Sequence, residues 1–185
     1  AAVLTSFLFG GALGVWAAQS DRVSAFIRPI NDTLQTIPLF VFLIPVLMFF
    51  RVGDFTAFLA IIMYAIVPPI RYTEHGLRNV DPSVIEAARA IGCTRWQMLF
   101  QVKLPLALPE LMLGLNQTIM FGLAMLVITA LVGTKDLGQS IYIALGKADP
   151  GAGLVAGLGM AFIAMIADRI IQSWSNKKRV ELGLG

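Results

Sequence analysis

Long apolar runs separated by short polar intervals organise this chain. A bilayer core about 30 Å thick takes about 20 mostly apolar residues of helix, and five runs approach that length, at about 1–18, 33–50, 55–70, 106–132 and 152–171. The second includes LQTIPLFVFLIPVLMFF, and the long fourth carries polar Glu110, Asn116 and Gln117. The interval 71–104 is different, being charged and partly amphipathic. There Asp81 caps a helix and Pro82 suits its first position, so the pattern predicts a short helix to about Ile91 that stops at Gly92. Val84, Ala87, Ala88 and Ile91 fall on one face, with Glu86 and Arg89 opposite and spaced for a pair. Thr94 and Gln97 have capping-box spacing and start a second short helix whose apolar stripe is Trp96, Leu99 and Phe100, ending at Leu104 and Pro105 by the membrane surface. Neither helix is long enough to span.

Two readings of this interval remain open on the residues alone. An interfacial loop rests on lipid headgroups; a docking element presents a face to a solid partner. Ala87, Ala88 and Gly92 offer little bulk, which suits close approach to protein better than contact with lipid.

Composition agrees with the spans. The 185 residues are 57% hydrophobic and 14% charged, against roughly 25% charged in soluble domains. The expected fold is therefore an all-α integral membrane helical bundle, a single domain over 1–185 with no repeat or low-complexity linker. The chain opens on AAVLTSFLFG, inside an apolar run and without Met, so further N-terminal sequence is expected and five spans is a minimum. Placing 71–104 in the cytoplasm puts eleven of the 14 Lys and Arg on that side, leaving Arg51, Lys135 and Lys147 on the other. The positive-inside rule then sets the N-terminus outside and the C-terminus inside a cell membrane. One Cys and one His, Cys93 and His75, exclude an intrachain disulfide and a His/Cys metal cluster.

Prolines punctuate the runs. Pro38 and Pro45 lie in the second, Pro68 and Pro69 are expected to close the third, and Pro105 and Pro109 to open the fourth. Gly10 with Gly14, and Gly153 with Gly157, have the four-residue spacing that lets helices pack closely.

Glu86-Ala87-Ala88, three residues, Gly92, nine residues, Val102, one residue, then Leu104-Pro105 resembles the cytoplasmic signature of ABC importer permeases, EAA-x3-G-x9-I-x-LP, with Val102 in place of Ile. QTIPLFVFLIPVLMFF, LPLALPELMLGLNQTIMFGLAMLVITALVG and LGQSIYIALGKADPGAGLVAGLGMAFIAMIADRI extend the resemblance over almost the whole chain, to the permease subunit of glycine betaine, proline betaine and choline importers. The resemblance implies a type I importer core with five spans and coupling helices that sit in a cleft of each ATP-binding subunit. Glu86 would be a polar contact there, Ala87 and Ala88 a close-packed face, Gly92 the turn, and Leu104 and Pro105 the end of the motif. It implies as partners two ATP-binding subunits, a second permease copy, and an extracytoplasmic substrate-binding protein or fused domain. It implies no nucleic acid. ATP and Mg would reside in the ATP-binding subunits, with no cofactor or metal on this chain.

The residues agree that this chain has no ATPase site of its own: Gly146-Lys147 is followed by Ala148, and no Gly stands five residues before Gly146. An intramembrane enzyme would have to draw on Glu110, Asn116, Gln117 or Asp168, and no second carboxylate or histidine is spaced with Glu110 or Asp168 for catalysis. A passive channel accounts for the spans and leaves 71–104 unexplained. Asn116 and Gln117 must bond to a neighbouring helix or to water in a cavity. For a quaternary ammonium solute, which has no N–H to donate, aromatic faces are the natural recognition elements. Phe121 and Tyr142 therefore join Asn116 and Gln117 as candidate pathway residues. A permease for another small solute, such as an amino acid, is the alternative that the resemblance leaves.

Overall fold

A computed structural model describes residues 1–134 and 136–183. All regular structure among them is helical. The helices are α1 (Ala2–Gln19), α2 (Asp21–Thr36), α3 (Leu39–Phe50), α4 (Asp54–Ala65), α5 (Val67–Arg78), α6 (Pro82–Ala90), α7 (Arg95–Gln97), α8 (Leu104–Thr129), α9 (Leu137–Gly146) and α10 (Pro150–Glu181). A π-helical turn, Met98–Lys103, joins α7 to α8, and a 3-10 turn, Ala130–Val132, extends α8.

Among the described residues four helical stretches are long and apolar enough to cross a membrane, Ala2–Gln19, Asp54–Arg78, Arg95–Val132 and Pro150–Glu181, and the bent pair α2–α3 makes a fifth if it is one span. The run expected as one helix over 33–50 is instead divided between α2 and α3, which meet at 97°. Pro38 drives the break. Ile37, the residue before it, is extended at φ −70° and ψ 130°, as clash with a following proline ring favours.

Two other expected boundaries move for the opposite reason. Pro68 and Pro69 do not close the third run, because they occupy the first turn of α5, where no intrahelical N–H bond is required of them. Ile66 keeps helical dihedrals, so α4 runs on into α5 as far as Arg78. Residues 71–78, expected in the polar interval, are thus a helical wall of the bundle. Likewise the second short helix does not end at Leu104 and Pro105: it continues through the π turn into α8. Pro105 cannot donate to residue 101, and a wider turn before it removes the clash that an α-helical proline would make.

α5 is central, flanked by α1 and α8. Gly10 and Gly14 bring α1 against it. An added Cβ at Gly10 would lie 2.6 Å from Pro69 Cγ, and one at Gly14 would lie 2.7 Å from the Ile70 carbonyl oxygen. On the α8 side, Cβ atoms at Gly76 and Gly114 would each approach a neighbouring Cβ, of Glu110 and of Tyr72, to 2.8 Å. The expected close packing at Gly10 and Gly14 is present, whereas a Cβ at Gly157 would meet nothing within 4 Å. The main apolar core joins α3, α4 and α8 through Phe42, Leu43, Ala57, Ala60, Ile61 and Met125. A second cluster of Leu77, Leu99 and Ala107 pins the π turn to α5 and α8. α10 packs on α8 and α9 and leaves Leu154, Val155, Leu158, Phe162 and Ile166 exposed along its length.

Candidate docking segment and transport cavity

The segment 81–97 is built by local hydrogen bonds. Asp81 Oδ1 accepts the Ser83 N–H at 2.8 Å and caps α6; hydrogen bonding from Ser83 holds the Asp81 carboxyl below its usual range. At the other end, Gly92 N–H donates to the Arg89 carbonyl at 3.0 Å and Cys93 N–H to the Ala88 carbonyl at 3.1 Å. This is the Schellman pattern, in which the residue after the C-cap is left-handed. Gly92 has φ +81°, so glycine is required by the backbone. The expected capping box follows: Thr94 N–H donates to Gln97 Oε1 at 2.9 Å, and Gln97 N–H to Thr94 Oγ1 at 3.4 Å.

The faces differ from expectation in part. Glu86 and Ala87 are exposed, but Ala88 is the one buried residue of α6 and packs within the chain, so it does not form a presented face with Ala87. Of the stripe Trp96, Leu99 and Phe100, only Leu99 is buried. Trp96 and Phe100 stack on each other at 5.8 Å and stay exposed. One turn of helix therefore points inward as an anchor while its neighbours remain free. Leu104 and Pro105 are half-buried at the start of α8.

A cavity of about 590 Å³ opens between α2, α5 and α8. Its lining follows helical periodicity: Arg28, Asn31 and Gln35 from α2; Val67, Arg71, His75 and Arg78 from α5; Glu110, Gln117 and Phe121 from α8. Of the four candidate pathway residues, Gln117 and Phe121 line it. Asn116 does not. It faces α10, where its Nδ2 donates to Asp168 Oδ1 at 2.6 Å and Asp168 also accepts from Gln172. Tyr142 lies on the exposed side of α9 and is also not part of the lining. Phe121 stacks on Tyr64 at 4.9 Å, which in turn meets Phe42 edge to face.

Much of the charge in the cavity comes from residues that lie between the apolar runs of the sequence. Glu74 is buried, and its Oε1 accepts from Ser24 at 2.6 Å and Arg28 at 2.9 Å, while Arg78 Nε lies 3.0 Å away. Arg78 also pairs with Asp21 at 2.7 Å and donates to the Ala17 carbonyl at 2.9 Å. The Glu74 carboxylate thus ties α5 to α2, and Arg78 carries the link on to α1. Toward the α3 end, Arg71 pairs with Asp32 at 2.9 Å and bonds to Gln35. Both members of that pair are more than half exposed, and such pairs contribute at most about 1 kcal/mol. His75 Nδ1 stands 3.9 Å from Glu110 Oε2, a juxtaposition across α5 and α8 that sequence spacing conceals. Among the described residues no group of three His, Cys, Asp or Glu is placed to hold a metal.

The chain resembles known proteins over nearly its full length. It is 39% identical over 178 residues to a glycine betaine/carnitine transport permease protein of Listeria monocytogenes, covering 96% of this chain and 63% of that one. To the glycine betaine/proline betaine transport system permease protein of Escherichia coli it is 41% identical, over 97% of this chain and 52% of the relative. A trimethylamine N-oxide transport system permease protein of Pelagibacter ubique is 44% identical, over 99% of this chain and 26% of the relative. The chain therefore spans between about a quarter and two thirds of these relatives. In fold it is similar to an inward-facing methionine ABC transporter, with a TM-score of 0.77 at 18% identity, covering 96% of this chain and 93% of that one. Since residues 10–180 match the binding-protein-dependent transport system inner membrane components, the chain belongs to that family.

Proposed function

We infer that this chain is the transmembrane permease part of an ATP-driven ABC importer for glycine betaine or a related quaternary ammonium solute, working by alternating access. One observation carries the reading. The docking segment is not an appendage: Leu99 anchors it against Leu77 of α5 and Ala107 of α8, the two helices that wall the cavity with α2. A partner that grips α6 and moves it as a body transmits that motion to the cavity walls, because packed interiors shift as units. The exposed Glu86, Ala87 and stacked Trp96–Phe100 face outward for that grip.

The partners in this reading are two ATP-binding subunits, which hold ATP and Mg, a second permease copy, and an extracytoplasmic binding protein or domain. The second copy is supported by the apolar face that α10 leaves exposed. The quaternary ammonium substrate is supported by what the relatives are named for, and by an aromatic wall at Phe121 and Tyr72 of the kind that receives a cation without N–H groups. In the same reading the segment 81–103 lies in the cytoplasm, with the C-terminal end of α10 on that side.

The test is reconstitution of the permease with its ATP-binding subunits and binding protein in proteoliposomes. ATP-dependent uptake of labelled glycine betaine is expected, and its competition by choline, trimethylamine N-oxide and methionine ranks the solutes. Uptake that needs no ATP-binding subunit would overturn the importer reading; uptake of methionine alone would overturn the substrate. Mass measurement of the detergent-purified assembly is expected to give two permease chains per two ATP-binding subunits. Arg89→Cys and Lys147→Cys, both at exposed positions, are expected to react with impermeant thiol reagents from opposite sides of the membrane.

A further inference from the structure

The cavity contains two arginine arrangements of opposite character. Around Glu74 every charge is committed: the carboxylate is buried, and Ser24, Arg28 and Arg78 converge on one oxygen. Around Arg71 nothing is enclosed. Its side chain is 52% exposed and that of Asp32 58% exposed, and its other partner, Gln35, is a neutral amide. The first arrangement holds helices together. The second can open at little cost, since water can solvate both of its members.

The lining is also balanced in formal charge, with Arg28, Arg71 and Arg78 against Asp32, Glu74 and Glu110. Such a lining offers no net field to retain a cation or an anion, but it offers local sites of both signs. Tyr72, Gln117 and Phe121 share the cavity with Arg71 and Asp32, which places aromatic surface beside an exchangeable ion pair.

We propose that the Arg71–Asp32 pair opens to seat a small zwitterion, with its carboxylate on the Arg71 guanidinium and its cationic end toward Asp32 and the Tyr72 and Phe121 rings. Insertion is charge-neutral: Arg71 exchanges one carboxylate for another, and Asp32 exchanges a guanidinium for the ligand's cation. A solute carrying only a cation would leave Arg71 without an anion, and one carrying only a carboxylate would leave Asp32 without a cation. The planar guanidinium also presents paired donors to a carboxylate. Discrimination for zwitterions over simple cations is then built into the permease as well as into any delivering protein. This inference rests on the transport reading for its assumption that the cavity is visited by substrate.

The experiment uses the complete transporter with Cys93→Ser and Gln117→Cys in the permease. The modification rate of the cavity cysteine by N-ethylmaleimide is followed with glycine betaine, choline or acetate at matched concentrations. Glycine betaine is expected to slow modification severalfold, and choline and acetate to leave it unchanged. Arg71→Gln should abolish the protection, and Arg71→Lys, which keeps charge but loses the fork, should retain part of it. Asp32→Asn should keep protection by glycine betaine, because the carboxylate grip survives. A device that merely latches α2 to α5 would respond alike to Arg71→Gln and Asp32→Asn. Equal protection by choline and glycine betaine in the parent, no protection at all, or protection that persists in Arg71→Gln overturns the proposal. If Arg71→Gln fails to assemble, the parent comparison alone decides. Uptake measured on the same complex separates the two readings: uptake without protection removes the subsite and leaves transport, while protection without uptake removes transport and leaves the subsite.

Discussion

Substitution at Gly92 separates the backbone's demand from a partner's. With φ at +81°, an L-residue there costs about 1–2 kcal/mol through contact of its Cβ with its own backbone, or about a 5–30-fold shift against the native turn. Yet a Cβ built at Gly92 meets no other atom within 4 Å. Inside the chain, therefore, Gly92→Ala and Gly92→Glu should carry nearly the same penalty, and Gly92→Asn a smaller one, because Asn tolerates the left-handed region. Any further loss in the Glu variant over the Ala variant must come from something outside the chain. If an ATP-binding subunit closes over this turn, Gly92→Glu should lower complex recovery, substrate-stimulated ATP hydrolysis and uptake together, well beyond Gly92→Ala, while membrane abundance stays equal for the two. Equal uptake by the Ala and Glu variants at equal abundance would refute the idea that this turn is covered by a partner. Loss of abundance in Glu alone would refute the claim that the position is open within the chain.

Other outcomes follow from packing and pairing. Gly14→Val places a branched side chain where a Cβ already lies 2.7 Å from the Ile70 carbonyl oxygen; overpacking of about 1–3 kcal/mol should appear as a lowered melting temperature in detergent, with Gly157→Val, in open space, unchanged. Arg78→Ala removes a cation beside buried Glu74 and the bond to the Ala17 carbonyl, and should cost about 1–3 kcal/mol by the same assay; Glu74→Gln in that background should recover part of it. Asn116→Ala frees one of two amide donors to Asp168, for which a loss of about 0.6–1.7 kcal/mol is expected in thermal stability. Solute selectivity in uptake should not change with it, because Asn116 faces α10 and not the cavity.

The parts of the fold legible in the sequence are those that local chemistry dictates. Asp81-Pro82, Gly92 and Thr94 with Gln97 each specify a turn or cap within a few residues, and each is found in its expected form. Gly10 and Gly14 were legible because close helix packing needs small residues at helical spacing. What the sequence concealed is polar and long-range. α2 and residues 71–78 carry charges that read as solvent-facing, yet Ser24 meets Glu74 across 50 positions and Arg78 meets Asp21 across 57. Hydropathy records that a side chain is charged and not that its partner waits on another helix. Asn116 and Gln117 are adjacent in sequence, so pattern alone could not tell that one turns to α10 and the other to the cavity. Prolines misled at 68–69 and 109, and Pro105 opens α8 as expected but does not end the helix before it, because a proline ends a helix only where its missing N–H and its ring both conflict with the turn before it.

The π-helical turn at Met98–Lys103 acts as a phase shifter between two rigid bodies. A π turn holds one residue more than the α-helix it interrupts, and one residue of α-helix corresponds to about 100° of rotation and 1.5 Å of rise. The azimuth at which α6 and α7 are presented relative to the Gln117 and Phe121 face of α8 is therefore set by that single surplus residue. Deleting Gln101, which is neither the Leu99 anchor nor part of the Trp96–Phe100 stack, would let the turn relax to α-helical spacing without removing a charge, a cap or a contact of the docking face. It would also aim that face elsewhere by roughly a quarter turn, so that a chain able to insert and to bind solute would be geared wrongly to whatever drives it.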